Sequence, residues 1–264
     1  MSMLSFLLDI LYPPRCPFCG SLLRADSNES FLKEPTVTTG EDIAGSEDIY
    51  SRRVIFKKST KIICSRCAEE LPWIVRGCAR CGCPLEEGDY NCTYCSGGAY
   101  FSFDDCCALG LYRGEIRRAV HRLKYHGKMS LAVPLGKLLS LKLARMTWIS
   151  SVECLVPVPL FGERQRWRGY NQASLLAGVI GKELQLPVLE ALVRVRDTGS
   201  QTGFNRTQRK KNLHGAFDCS QELKRGSHIL LIDDVLTSGA TAHEASCVLK
   251  NGGAGRVSVA VLAR

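Results

Sequence analysis

Residues 229–241 read "ILLIDDVLTSGAT". Four apolar residues run into two adjacent carboxylates, Asp233 and Asp234, and the small residues Thr237, Ser238, Gly239, Ala240 and Thr241 follow just before a helical pattern. A strand this apolar is expected to be buried on both faces, as in a parallel sheet. Two acids are tolerated at such a strand only at its open carboxyl end, which is where ligands bind in open α/β sheets. Both are therefore expected to face a crevice. Backbone N–H groups where a loop turns into a helix favour an anion. Acids for hydroxyl groups beside a nest for a phosphate describe a ribose 5-phosphate. The plainer alternative, a solvent-facing turn with a helix cap, explains the small residues but not the acids. No Gly-Lys-Ser/Thr is present, so the stretch is not a P-loop.

Moving outward, the segments around this stretch alternate. "YRGEIRRAVHRLKYHG" sets Ile116, Val120 and Leu123 on one helical face, and residues 131–146 form a second amphipathic pattern. "SVECLVPVPL" is an apolar strand, "NQASLLAGVIGKEL" a helix, "TAHEASCVLKNGG" a helix closed by glycine, and "GRVSVAVLA" a last strand. Strand, helix, strand at this spacing predicts an α/β fold with a parallel sheet flanked by helices over 106–264.

The 264 residues carry 14 cysteines, of which 11 lie in the first 107. Eight form Cys-x-x-Cys pairs: Cys16/Cys19, Cys64/Cys67, Cys78/Cys81 and Cys92/Cys95. Each pair turns two thiolates to one side, and two pairs complete a tetrahedral Zn²⁺ site. Sequential pairing predicts one ion on Cys16, Cys19, Cys64 and Cys67 and another on Cys78, Cys81, Cys92 and Cys95, with Cys83 a rival for Cys81. Four protein ligands leave no open position, so both Zn²⁺ ions are expected to be structural. Residues 1–105 thus read as a zinc-ribbon domain. It is interrupted near 24–59 by a polar stretch that reads as a disordered insertion. The opening "MSMLSFLLDILYPP" lacks a basic start and a cleavage site and is too short to span a bilayer. A cytoplasmic chain with reduced thiols fits better than a secreted disulfide framework.

The acid pair and its loop resemble the signature of the type I phosphoribosyltransferases. The resemblance implies that Asp233 and Asp234 bind ribose hydroxyls, that Thr237 to Thr241 bind the 5-phosphate of phosphoribosyl pyrophosphate (PRPP), and that Mg²⁺ accompanies the pyrophosphate. "LVPVPLFGERQRWRGYNQA", "LKYHG", "QTGFNRTQRKKNLHGAF" and "SVAVLAR", behind "LLDILYPPRCPFCG", look like the ComF family of competence proteins over nearly the whole chain. By that resemblance Pro159 to Arg168 forms the pyrophosphate loop, with Pro159, Leu160, Arg164 and Arg168 at the ligand. The stretch 198–212 then forms a hood whose Arg209 closes over the phosphates. The long insertion departs from the family pattern and bears on the first zinc site.

The formal charge is +9, which favours an anionic partner. Residues 112–145 carry nine Lys/Arg against one acid, and 161–211 carry ten against four. Such a face suits a phosphate backbone, with Tyr125, Trp148, Trp167 and Tyr170 as candidates to stack on bases. Two readings stand. One is a PRPP-binding protein that handles single-stranded DNA in natural transformation, with a competence helicase as a further partner. The other is an active phosphoribosyltransferase displacing pyrophosphate. The residues do not name an acceptor.

Overall fold

The computed structural model describes residues 15–23, 62–86, 88–89, 92–196 and 212–264. The expected insertion, the N-terminal apolar run and the hood with Arg209 lie outside the described residues. The chain divides into two compact units, Met1–Glu70 and Leu71–Arg264.

In the first unit, Arg15 and Leu22 bridge across the turn that carries Cys16 and Cys19. The Cys16 N–H donates to Ser21 O at 2.8 Å. Cys67 sits in the short helix Ser65–Glu70.

The second unit holds a four-stranded parallel sheet in the order β1-β6-β5-β2, made of β1 (Asp105–Gly110), β2 (Cys154–Pro157), β5 (His228–Val235) and β6 (Arg256–Ala263). A separate antiparallel pair joins β3 (Leu192–Arg194) to β4 (Phe217–Cys219). Helices α1 (Gly114–Tyr125), α2 (Ala132–Leu143), α3 (Gly162–Arg168), α4 (Gln172–Leu184) and α5 (Ala240–Asn251) connect the strands. The sheet is buried on both faces, which is why β5 and β6 read as continuous apolar runs instead of alternating ones. Ile116, Ala119, Val120 and Leu123 form the buried face of α1, as the helical period predicts.

Several buried polar groups of this body are paired. His228 bonds Ser151 Oγ through Nδ1 and Ser258 Oγ through Nε2, each at 2.8 Å, and Ser258 donates to Asp105 at 2.9 Å. Lys142, on α2, is buried and donates to Ile74 O and to Ala108 O, the latter at 2.6 Å. Burial lowers its pKa.

Strand β2 lies between β5 and Val188, since Leu155 bridges Val188 in parallel on its outer side. The chain leaving β5 runs through α5 to β6, and the chain leaving β2 runs through α4 to Val188. These connections depart in opposite directions, and the crevice between them, at the carboxyl ends of β5 and β2, is a topological switch point.

Candidate functional site

The acid pair stands at that crevice. Although adjacent strand residues alternate faces, at this strand end the two carboxylates interact with each other and with Lys124. Asp233 is partly exposed. Asp234 is only 6% exposed, and its Oδ1 meets the Lys124 ammonium at 2.8 Å. Of the two acids expected to face the crevice, Asp234 is the more buried and is paired with Lys124. Burial works against the charge on Lys124, but Asp234 and then Asp233 outweigh it, and its pKa is raised. Burial, and after it the neighbouring Asp234, push the Asp233 carboxyl up to about 7, against the pull of Lys124. Asp233 Oδ1 also accepts from the Asp234 N–H at 2.8 Å.

Beyond the acids the chain turns at Thr237, which is exposed, and Ser238, which is half-buried. Gly239 then adopts the left-handed region (φ 78°) as the N-terminal cap of α5, so no side chain caps the first turn from that position. The other wall of the crevice follows β2. Pro159 and Leu160 are half-buried there. Residues 162–168, expected as part of a loop, form the short helix α3, which ends where Gly169 enters the left-handed region (φ 79°). Arg168 donates to Gln172 Oε1 at 2.7 Å and lies over the Tyr125 ring at 5.0 Å. Asn171 caps α4 by accepting from Ala173 N and donates to Val158 O, both at 3.0 Å. Tyr170 donates to Leu123 O. The end of α1 is thus bonded to both walls: Lys124 to the acids, Leu123 and Tyr125 to the α3–α4 junction.

Residues 171–264 match the model of the phosphoribosyl transferase domain. Competence protein F of Haemophilus influenzae is 31% identical over 208 residues, which covers 76% of this chain and 90% of that protein. The chain belongs to the ComF family. Other relatives are DNA utilization protein YhgH of Escherichia coli K12, 30% identical over 76% of this chain and 90% of its own, and competence protein ComFC of Bacillus subtilis, 28% identical over 83% and 91%. Among solved structures, a glutamine PRPP amidotransferase from B. subtilis aligns at 18% identity with a TM-score of 0.36, covering 50% of this chain and 26% of that one. The body of this ComF-family protein has the type I phosphoribosyltransferase fold, with two four-cysteine groups on the N-terminal side.

Those groups are the two expected ones. The sulfurs of Cys16, Cys19, Cys64 and Cys67 lie within 4.8 Å of one another, and so do those of Cys78, Cys81, Cys92 and Cys95. Cys81, and not Cys83, completes the second group. Sulfur pairs stand at 3.6 Å (Cys19–Cys64), 3.5 Å (Cys81–Cys92) and 3.9 Å (Cys78–Cys95). A tetrahedron with Zn–S near 2.3 Å has edges of about 3.8 Å, so the donors fit that ion. Burial pushes the Cys78 and Cys81 thiols up, whereas hydrogen bonds bring the Cys92 thiol down to about 7 despite its burial; a cation at the centre would favour the thiolate form of all four.

Of the aromatic side chains considered for stacking, Trp148 is core at 8% exposure, whereas Trp167 is 75% exposed and Tyr125 51%. Lys124 and Lys142 are also withdrawn from the basic face of 112–145, since both serve buried partners. Lys124 was legible only as one more charge. Its position next to Leu123 and four residues after Val120, at the edge of the apolar stripe, is the signal that it leans inward. Among the described residues, no helix is long and apolar enough to cross a membrane.

Proposed function

We propose that this ComF-family protein binds PRPP in the β5/β2 crevice and couples that site to the handling of single-stranded DNA in natural transformation. The observation that carries the first part is the placement of Asp233, at the carboxyl end of β5, where the chain leads on one side to a helix start with glycine at its cap position and β2 leads on the other to the Arg164–Arg168 helix. In this reading Asp233 accepts from the ribose hydroxyls, and Lys124 holds Asp234 beneath it. The Thr237–Thr241 loop binds the 5-phosphate. Pro159, Leu160, Arg164 and Arg168 line the pyrophosphate end, and Arg209 closes over the phosphates. Mg²⁺, bound with PRPP, would neutralise the diphosphate. The names of the relatives, competence proteins and DNA utilization proteins, support the second part. Zinc is the metal proposed for both cysteine groups.

Calorimetry with PRPP and Mg²⁺ tests the site. Asp233→Asn is expected to weaken binding about 10- to 100-fold, the range for a hydrogen bond to a charged group. The wild type should also show proton linkage. Because Asp233 must be ionised to accept from both hydroxyls and titrates near 7, affinity should fall about tenfold per pH unit below that value. Asp233→Asn should lose that extra slope. Equal affinities in the two proteins would rule out the assigned role. Pyrophosphate release with a nucleobase or ammonia as acceptor would make the protein an active transferase.

For DNA, the supporting observation is Trp167, exposed on the same short helix as Arg164 and Arg166, with the Arg168–Tyr125 pair beside it. Trp167→Ala should weaken binding to a single-stranded oligonucleotide about tenfold. Glutamines at Arg117, Arg118 and Arg122 should lower the slope of log affinity against log salt by about 2, at roughly 0.7 per phosphate contact. Binding that does not respond to salt would remove the DNA reading and leave the charge to the pyrophosphate.

A further inference from the structure

Within the second unit the Cys78–Cys95 module is built against the loop that carries Thr237–Thr241. Tyr94 lies in the helical turn Thr93–Ser96, between Cys92 and Cys95, and its hydroxyl donates to Ser238 O at 3.3 Å. Arg264 follows β6. Its Nε donates to Cys81 O at 2.8 Å, and its Nη1 donates to Leu236 O at 3.0 Å and to Thr237 O. The guanidinium sits over the Tyr94 ring at 4.6 Å. Phe101 stacks between Tyr94 and Phe103, with centroids at 6.2 and 4.6 Å, and its edge fills the space where a side chain at Gly239 would go. A Cβ there would stand 2.4 Å from the ring. One residue on, the Ser102 N–H donates to His243 Nδ1 at 3.0 Å, in the first turn of α5.

Three successive loop carbonyls, those of Leu236, Thr237 and Ser238, are therefore held towards the cysteine module. In a trans peptide the N–H of the next residue points opposite to the carbonyl. Fixing these carbonyls turns the N–H groups of Thr237, Ser238 and Gly239 away from the module as a set. Consecutive N–H groups presented together form an anion nest. A short loop of small residues has no packing of its own to hold that arrangement, so the orientation comes from the neighbours that grip its oxygens.

We propose that Tyr94 and Arg264 are positioning residues for the anion loop, and that the Cys78–Cys95 module acts as the rigid wall that keeps this loop competent to bind phosphate. The proposal rests on the reading that the loop receives the 5-phosphate of PRPP. Its consequence is that phosphate affinity follows the integrity of the second cysteine group, although no cysteine reaches the ligand.

The test uses the full chain carrying its metal. Tyr94→Phe keeps the ring and removes one bond to the loop; PRPP affinity should fall about fivefold. Arg264→Met removes both bonds to the loop and should cost about a hundredfold, with Arg264→Lys recovering part of the loss. Metal content by elemental analysis should stay at the wild-type value in Tyr94→Phe and Arg264→Lys. In those same proteins, amide exchange should quicken over 237–241 and remain unchanged over β6. Wild-type affinity together with wild-type loop exchange in Tyr94→Phe and Arg264→Lys would overturn the proposal. If the wild type itself does not bind PRPP, the reading of the site fails, and loop exchange then decides alone: quickened exchange upholds the wall, and unchanged exchange removes it.

Discussion

Lys124→Met is expected to cost the folded protein about 3 to 5 kcal/mol, the range for breaking a buried ion pair from one side. Methionine keeps most of the volume, so the loss is electrostatic. Asp234 would remain 6% exposed with no cation at 2.8 Å and with Asp233 next to it. The sign of the pH dependence follows from the same groups. Lys124 pulls the Asp233 carboxyl down from a value that burial and Asp234 push up, so its removal raises Asp233 further. A carboxyl whose folded pKa is raised contributes stability that is fully present below its unfolded value and is lost as pH rises through the folded one. The variant's deficit should therefore be largest at pH 8 and shrink towards pH 5, as read by urea unfolding. Adding Asp234→Asn should recover most of it, since the orphaned charge is gone. A deficit under about 1 kcal/mol at pH 8 would show that the pair does not hold the site together.

The second large effect concerns the metal groups. Purified protein should carry two Zn²⁺ per chain, and Cys81→Ser should carry one. In small cysteine-rich modules metal affinity is folding energy, and apparent values of about 10 to 16 kcal/mol are typical of zinc-finger peptides at neutral pH. Even if the second group contributes only about 4 kcal/mol to this larger unit, its loss should lower the thermal midpoint by about 8 to 16 °C. Chelation should reproduce the shift in the wild type and add nothing at the second group in Cys81→Ser. Acid should act in the same direction, because thiolates must be protonated to release the ion. A folded wild-type protein with no zinc by elemental analysis would exclude the assignment.

These effects sort by how far apart in sequence the participants lie. The knuckles were legible because both thiols of a pair sit within one turn of chain, and a spacing of two residues defines the turn. The β5 strand, its acids and the start of α5 were legible for the same reason: a run of apolar residues, two carboxylates and a string of small residues follow one another directly. The parallel sheet followed from the alternation of periods, which are local properties repeated along the chain. Residues 162–168, expected in a loop from the family resemblance, form a short helix whose one large apolar side chain, Trp167, is exposed, so no apolar stripe reveals it. Trp148 and Trp167 show the same limit for single side chains. The two rings have identical chemistry, and only packing makes one core and the other exposed.

By itself, then, the sequence determined the fold class, the eight cysteines of the two four-sulfur groups and the acid–loop motif, because each is written in contiguous or regularly spaced residues. Only the tertiary structure decided which acid pairs with Lys124 and what holds the loop. Lys124 reaches Asp234 across 110 positions, the difference of their numbers, and Tyr94 reaches Ser238 across 144 and Arg264 Cys81 across 183. No periodicity encodes such pairs. They exist because a parallel sheet gathers the carboxyl ends of distant strands at one edge, and α1 and the second cysteine module close on that edge. There, buried charges and backbone oxygens must find partners from whatever part of the chain packs beside them.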